Sequence, residues 1–311
     1  MRTRLVRGGF AAIATLAIAG CGGGGSTSGV QSVPTPPPAP TPPPPPAPSG
    51  PPPIPAGPIG LQSNAPFATQ AAYSSEDGFG GGSDAVQFSY SAADQSYTIA
   101  VPGHSPGQLM TTSGNGSSDK GVWLSLVSTN NNVSAQPVDR PVQVALDWPA
   151  TYTLTYTSAG DWYEGGPFTA NHGYFAYGIP TAAGDMPITG AASYTGNARG
   201  MTDSDIYVDG SVQLSFDFGA GTLSGEMKPV LWPWDGVPLG TYTFRDTVYS
   251  TGSTTFSGSF IVPNSNAPSS FSGNFNGPQA AEFMANWRAP YLDPSTGQSG
   301  TMAGIWTGKK N

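Results

Sequence analysis

Residues with chemical potential are few in this 311-residue sequence, and their spacing limits what each can do. Gly103-His104-Ser105-Pro106-Gly107 has the G-x-S-x-G spacing of a nucleophile elbow. Such an elbow holds its serine on a turn between a strand and a helix. A strand precedes Ser105, but Pro106 and Gly107 oppose a following helix, so a plain turn is expected. His104 and His172 are the only histidines. Paired imidazoles can ligate haem iron or, with carboxylates, a metal. No further ligands stand nearby, and Asn171-His172-Gly173 reads as a turn, so both histidines are expected at the surface. Glu76 to Asp84 mixes acids and glycines as calcium loops do, without the ordered ligand positions of a helix–loop–helix site. A flexible connection is expected there. The sequence offers no convergent acid/base or nucleophile pair, so an enzyme is not expected, and no cofactor or metal site is assigned.

Contact chemistry fits the residues better. Trp232-Pro233-Trp234-Asp235-Gly236 sets two tryptophans among prolines, which a regular strand interior does not admit. The stretch is expected in a loop between strands at 222–227 and 240–244. Aromatic side chains supply large contact areas and dominate binding energies, so Trp232 and Trp234 are candidate partner-binding residues. The alternative is an indole folded back as packing. Asp161-Trp162-Tyr163-Glu164 adds Trp162 and Tyr163 on the same reasoning.

The N-terminus carries a different chemistry. Arg2, Arg4 and Arg7 precede a short apolar run from Phe10 to Ile18, closed by the small residues Ala19 and Gly20. This is the three-part form of an export signal, and the run is shorter than the roughly 20 residues a membrane-spanning helix needs. Leu16-Ala17-Ile18-Ala19-Gly20-Cys21 resembles the bacterial lipobox. The resemblance implies a signal peptide at 1–20, cleavage between Gly20 and Cys21, and diacylglycerol and fatty acid such as palmitate on Cys21. Several chains suit the physics, because one acyl chain binds a membrane only marginally. Cys21 is also the sole cysteine, which excludes an intramolecular disulfide framework.

Eleven basic residues face 19 acidic ones; loss of residues 1–20 removes three arginines and no acid, leaving a net charge of −11. An acidic chain argues against nucleic acid and against electrostatic docking to anionic lipid. Membrane association is expected through the lipid alone. Residues 21–60 read as a disordered Gly/Pro-rich tether, with five consecutive prolines at Pro42–Pro46 favouring extended polyproline II.

The elements that must position the contact residues are strands. Tyr97, Ile99 and Val101 alternate with small residues, as do Tyr152, Leu154 and Tyr156 with threonines. Val212, Leu214, Phe216 and Phe218 give the clearest period of two, followed by a turn at Gly219-Ala220-Gly221 and a strand at Thr222–Met227. Further strands are expected at Gly240–Phe244, Thr254–Ile261, Phe271–Phe275 and Thr301–Trp306. A helix is expected to start at Pro278 and run to Met284. Only 10% of residues are charged, against roughly 25% in ordinary soluble domains, and glycine is abundant. The class is all-β, sandwich or barrel.

Residues 172–311 carry a more particular pattern. Met186-Pro187-Ile188-Thr189-Gly190-Ala191-Ala192-Ser193-Tyr194-Thr195-Gly196 leads to Asp217-Phe218-Gly219 and Thr222-Leu223-Ser224-Gly225. Phe271-Ser272-Gly273-Asn274-Phe275-Asn276-Gly277-Pro278 and Gly300-Thr301-Met302-Ala303-Gly304-Ile305-Trp306-Thr307-Gly308 follow. In order and spacing this resembles the β-barrel of transferrin-binding protein B-like surface lipoproteins. The resemblance implies an eight-stranded antiparallel barrel over 186–311 and a strand-rich, handle-like region over 61–185. A helical turn at 278–284 would cap the barrel near its last strands. It also implies a lipid-anchored protein of the outer membrane, exposed at the cell surface. Such a protein captures an extracellular or host protein or a solute, with haem- or iron-containing ligands and a TonB-dependent receptor as the nutrient-uptake setting. A structural, adhesion or immune-interaction lipoprotein is the alternative. The family's namesake has two lobes and this chain has room for one, so no ligand-recognition residue carries over.

Overall fold

Glycine turns between short alternating runs leave this chain little but strands to form. The computed structural model describes residues 56–57, 60–75, 78–104, 106–110, 116–117, 122–127, 132–133, 142–146, 154–164, 172–233 and 235–311. The first part contains β1 (Ala56–Gly57), β2 (Gly60–Leu61), β3 (Ala68–Ser75), β4 (Gly78–Ser83), β5 (Gln87–Ser91), β6 (Ser96–Ala100) and β7 (Gly107–Met110). It continues with β8 (Gly116–Ser117), β9 (Val122–Val127), β10 (Asn132–Val133), β11 (Val142–Leu146), β12 (Thr157–Glu164) and β13 (His172–Gly178). A seven-stranded sheet runs β10-β9-β11-β12-β13-β3-β4, and a four-stranded one runs β5-β6-β7-β8. β1 pairs with β2, Ala56 opposite Leu61, across the end of the tether expected over 21–60. Phe88, Tyr97, Ile99, Val144, Trp162, Phe175 and Tyr177 share one buried cluster in this handle.

The second part contains β14 (Ala191–Thr202), β15 (Tyr207–Asp217), β16 (Thr222–Trp232), β17 (Val237–Pro238) and β18 (Tyr242–Val248). β19 (Thr255–Ile261), β20 (Ser270–Asn276), β21 (Glu282–Leu292) and β22 (Ser299–Lys310) complete it. Apart from the short β17, each strand pairs antiparallel with the next, and β22 returns to β14. The result is a closed eight-stranded up-and-down barrel. Closure removes the free edges on which sheets aggregate.

Alternation decides which side chains enter the barrel. Val208, Val212, Leu214 and Phe216 of β15 point inward, while Ser211, Gln213, Ser215 and Asp217 point out. A membrane-spanning barrel has the reverse pattern, an apolar outside. The lumen is solid with aromatic rings. Phe275 alone has Tyr194, Phe216, Phe218, Tyr249 and Phe256 at centroid distances of 4.8 to 6.2 Å.

The glycines of the closing strands make this filling fit. Gly196 faces Gly308 and Gly200 faces Gly304 across the β14–β22 seam. A Cβ on Gly308 would lie 2.4 Å from Phe283 Cε1, and one on Gly304 would lie 2.6 Å from Trp287 Cζ2. The seam is bare so that rings from β21 can occupy the lumen behind it.

The handle sheet packs on the outside of β21 and β22. Ala159 and Ala176 meet Met284 and Ile305 in a small buried cluster. Beside it runs a buried amide network. Gln70 Nε2 donates to Asn274 Oδ1, Asn274 Nδ2 to Asn276 Oδ1, and Asn276 Nδ2 to Thr157 Oγ1, at 2.8 to 3.0 Å. Glu282, 4% exposed, accepts the N–H groups of Thr155 and Tyr156 on its two oxygens at 2.6 and 2.9 Å. Burial pushes its carboxyl above the usual range, against the pull of those hydrogen bonds.

Three expectations are corrected. The helix from Pro278 to Met284 is a three-residue 3-10 turn, Pro278–Ala280, and Glu282 already belongs to β21. The inward alternation of Phe283, Ala285 and Trp287 overrides the local helical tendency, as tertiary burial commonly does. The turn still buries Ala280, whose carbonyl accepts the Tyr194 hydroxyl at 2.7 Å. The flexible connection expected after Glu76 is the edge strand β4, where the Tyr73 ring lies over Gly80; Glu76 and Asp77 lie outside the described residues. The alternation through Tyr156 is not strand in its described part, because Leu154–Tyr156 is a bend held by Glu282 and β12 begins at Thr157.

Candidate functional site: an aromatic strip and groove at the handle–barrel junction

Trp232 is the last residue of β16 and lies opposite Tyr207, the first residue of β15. Lumen-facing residues are even-numbered on β15 and odd-numbered on β16, so both rings point outward. They are 45% and 36% exposed. The indole N–H of Trp232 donates to Asp209 Oδ1 at 2.8 Å, which fixes the ring against the barrel wall. The loop expected for this residue is thereby corrected: Trp232 ends a strand, and its outward phase is what admits an indole there. Trp234 lies outside the described residues. Ile261 and Leu292, also exposed, end β19 and β21 at the same rim of the barrel.

The strip continues onto the handle. Tyr207 lies 6.3 Å, ring to ring, from Tyr174 of β13, and Tyr174 lies 6.5 Å from His172. His172 is the register partner of Tyr163 on β12, so the two share a face. Trp162, adjacent in sequence, faces the other way. It is 4% exposed, packs against Tyr73 and Phe175, and covers Gly173, where a Cβ would come within 2.2 Å of its ring. Its ring is handle core, and Tyr163 is the member of the pair that reaches the strip.

Beneath the strip the junction opens into cavities. One of about 140 Å³ lies between the β12–β13 pair and the start of β15. Tyr163, Tyr174 and Tyr207 form its aromatic walls, with Asp161, Asp205 and His172 among them. A larger space of about 350 Å³ adjoins it through Tyr207 and follows the outer barrel wall past Asp209, Arg199, Ser211 and Asn197. A third, of about 210 Å³, shares Asn197 and Thr307 with the second and ends at Leu154 and Lys309.

The turn that presents Asp205 is tightly held. Thr202 is fully buried, its hydroxyl accepts the N–H groups of Ser204 and Ile206, and its carbonyl accepts that of Asp205. Asp205 itself adopts a left-handed backbone, with φ of 59°. Its Oδ1 stands 3.9 Å from His172 Nδ1, across the junction. Burial, and secondarily the charge of Asp161, raise the Tyr163 phenol above its ordinary range.

The other chemical candidates remain dispersed. His104 closes a turn onto the Val101 carbonyl at 3.1 Å and lines a cavity with Tyr73 and Trp162, on the face of the handle sheet opposite His172. Among the described residues no three of His, Cys, Asp and Glu converge on a metal-sized point. Ser105 lies outside the described residues, and the segment after it is strand β7 rather than the helix an elbow requires. Gly20 and Cys21 also lie outside the described residues. The residues missed from sequence are Tyr174, Tyr207, Asp205 and Asp209. Tyr207 had a signal: it is an aromatic in the polar phase of a clearly alternating strand. Tyr174, in His172-Gly173-Tyr174-Phe175-Ala176-Tyr177, had none.

No protein-family model and no curated protein matches the chain. Solved structures to which the chain is similar include transferrin-binding protein B from Haemophilus parasuis, in a double-mutant form, at 17% identity and a TM-score of 0.47. They also include transferrin-binding protein B from serogroup B Neisseria meningitidis, at 14% identity and a TM-score of 0.45. In each case 78% of this chain is aligned, covering only 44% of the other, so the chain spans less than half the length of these proteins. A structure described as a surface lipoprotein is covered over its whole length by 80% of this chain, at 12% identity and a TM-score of 0.39.

Proposed function

We propose that this chain is a non-catalytic binding protein displayed outside the cell, which captures an extracellular protein on the aromatic strip at its handle–barrel junction. The observation that carries this reading is the continuity of Trp232, Tyr207, Tyr174 and Tyr163 across two structural regions, beside an open groove. The lumen, filled by its own rings, offers a solute no comparable place. The sequence resemblance to transferrin-binding protein B-like lipoproteins supports the same reading. The anchor is lipid on Cys21, the site is the outer membrane, and the setting is iron or haem acquisition beside a TonB-dependent receptor.

Binding of the full chain, purified in detergent, to immobilised transferrin, haemoglobin and fractionated extracellular proteins tests the capture. Saturable binding that Trp232→Ala and Tyr207→Ala together weaken at least about tenfold, with an unchanged melting temperature, is expected of a hot-spot pair. Binding indifferent to both substitutions refutes the strip as the contact surface. Metabolic labelling with fatty acid tests the anchor: the wild type takes up label, and Cys21→Ala does not.

A further inference from the structure

The smallest of the junction cavities has a chemistry more specific than aromatic contact. Its volume of about 140 Å³ is well below the roughly 300–1,000 Å³ of small-molecule sites, so it suits the end of one side chain. Three tyrosines from three strands wall it: Tyr163 of β12, Tyr174 of β13 and Tyr207 of β15. Two carboxylates, Asp161 and Asp205, enter from opposite sides, one from the handle and one from the barrel turn. Among the described residues no lysine or arginine lines it, and His172 is the one basic residue that does. Aromatic faces with carboxylates in reach are the environment that attracts a cation, through the ring quadrupole and by charge.

We propose that this cavity is a receptor for a guanidinium group: it takes an arginine side chain projecting from the captured protein. The inference deepens the partner-binding reading above and rests on it. A planar guanidinium can stack on tyrosine rings while its N–H groups reach carboxylates at the edge, which a compact ammonium does less well. Asp205 is suited to the contact. Its turn is fixed by Thr202, and its 3.9 Å approach to His172 is long enough for the carboxylate to turn to a better donor. The acidic balance of the chain favours encounter with a basic partner surface.

The test uses the full chain in detergent and isothermal titration with N-acetyl-arginine amide. N-acetyl-citrulline amide, its neutral near-isostere, serves as the control. The arginine probe is expected to bind saturably and at least about tenfold more tightly than the citrulline probe. Asp205→Asn is expected to weaken the arginine probe about tenfold; asparagine tolerates the left-handed backbone of this turn, so folding is preserved. Tyr207→Ala is the second variant, expected to weaken it by severalfold. Equal binding of both probes, no saturable binding of arginine, or an Asp205→Asn protein that binds like the wild type overturns the proposal. Arginine binding with that variant pattern, in a chain that captures none of the proteins tried, upholds the cavity and refutes only the choice of partner.

Discussion

The barrel and the handle solve the same problem of burying a sheet face in opposite ways. The barrel closes on itself, and its apolar side fills with interlocking rings. The handle sheet stays open, with β10 and β4 at its edges, and completes its burial by leaning on the barrel wall through a few small side chains and a chain of amides. A filled barrel has no interior left for a ligand. The difference teaches where binding chemistry can reside: on outer surfaces, and above all where the second region meets the first.

The comparison breaks most sharply inside the barrel. Phe275→Ala removes a ring that touches five others, and large-to-small core changes of this kind cost about 3–5 kcal/mol. Denaturant unfolding followed by tryptophan fluorescence should show a correspondingly lowered midpoint for the barrel.

A smaller and more local loss is expected at the junction. Glu282→Gln keeps the shape but turns an amide N–H₂ toward one of the two backbone donors. The expected cost is about 1–3 kcal/mol, read as faster amide exchange at Thr155 and Tyr156 before any change in the barrel strands. The same residue sets a pH dependence. Its folded carboxyl titrates above the ordinary value, so the folded state holds the proton longer than the unfolded one. Its contribution to stability therefore falls as pH rises from the usual carboxylate range through the raised folded value, and is constant below and above that window. Glu282→Gln should abolish this component of the stability–pH profile; a profile unchanged by the substitution would show that another group carries it.

The smallest effect on folding is expected at the strip. Trp232→Ala removes a half-exposed ring and one exposed hydrogen bond, so thermal stability should move by no more than about 1 kcal/mol. A large loss of stability would mean that the indole packs the barrel wall instead of serving a partner.

Much of the barrel was legible because alternation is a local property. Val212, Leu214, Phe216 and Phe218 announce their face without reference to any other strand. The glycines of β14 and β22 were legible as glycines but not in their role, since Gly304 is bare for the sake of Trp287, a residue on the neighbouring strand. The run from Pro278 misled for a related reason: Glu282 is drawn into β21 by its pairing with Asn276 and Lys309. Of the candidate contact residues, Trp232 and Tyr163 could be singled out by type, whereas Trp162 could not be told from its neighbour until the sheet gave it a face.

The sequence by itself determined an all-β chain, an alternating barrel wall, a net negative charge and a single cysteine. These are statements about composition and short-range period, which the residues carry wherever the chain goes. Only the tertiary structure decided that residues 163, 174, 207 and 232 form one strip, and that Asp161 and Asp205 meet across a cavity. Such juxtapositions depend on strand register and on how two sheets pack, and both are settled by burial of side chains far apart in sequence.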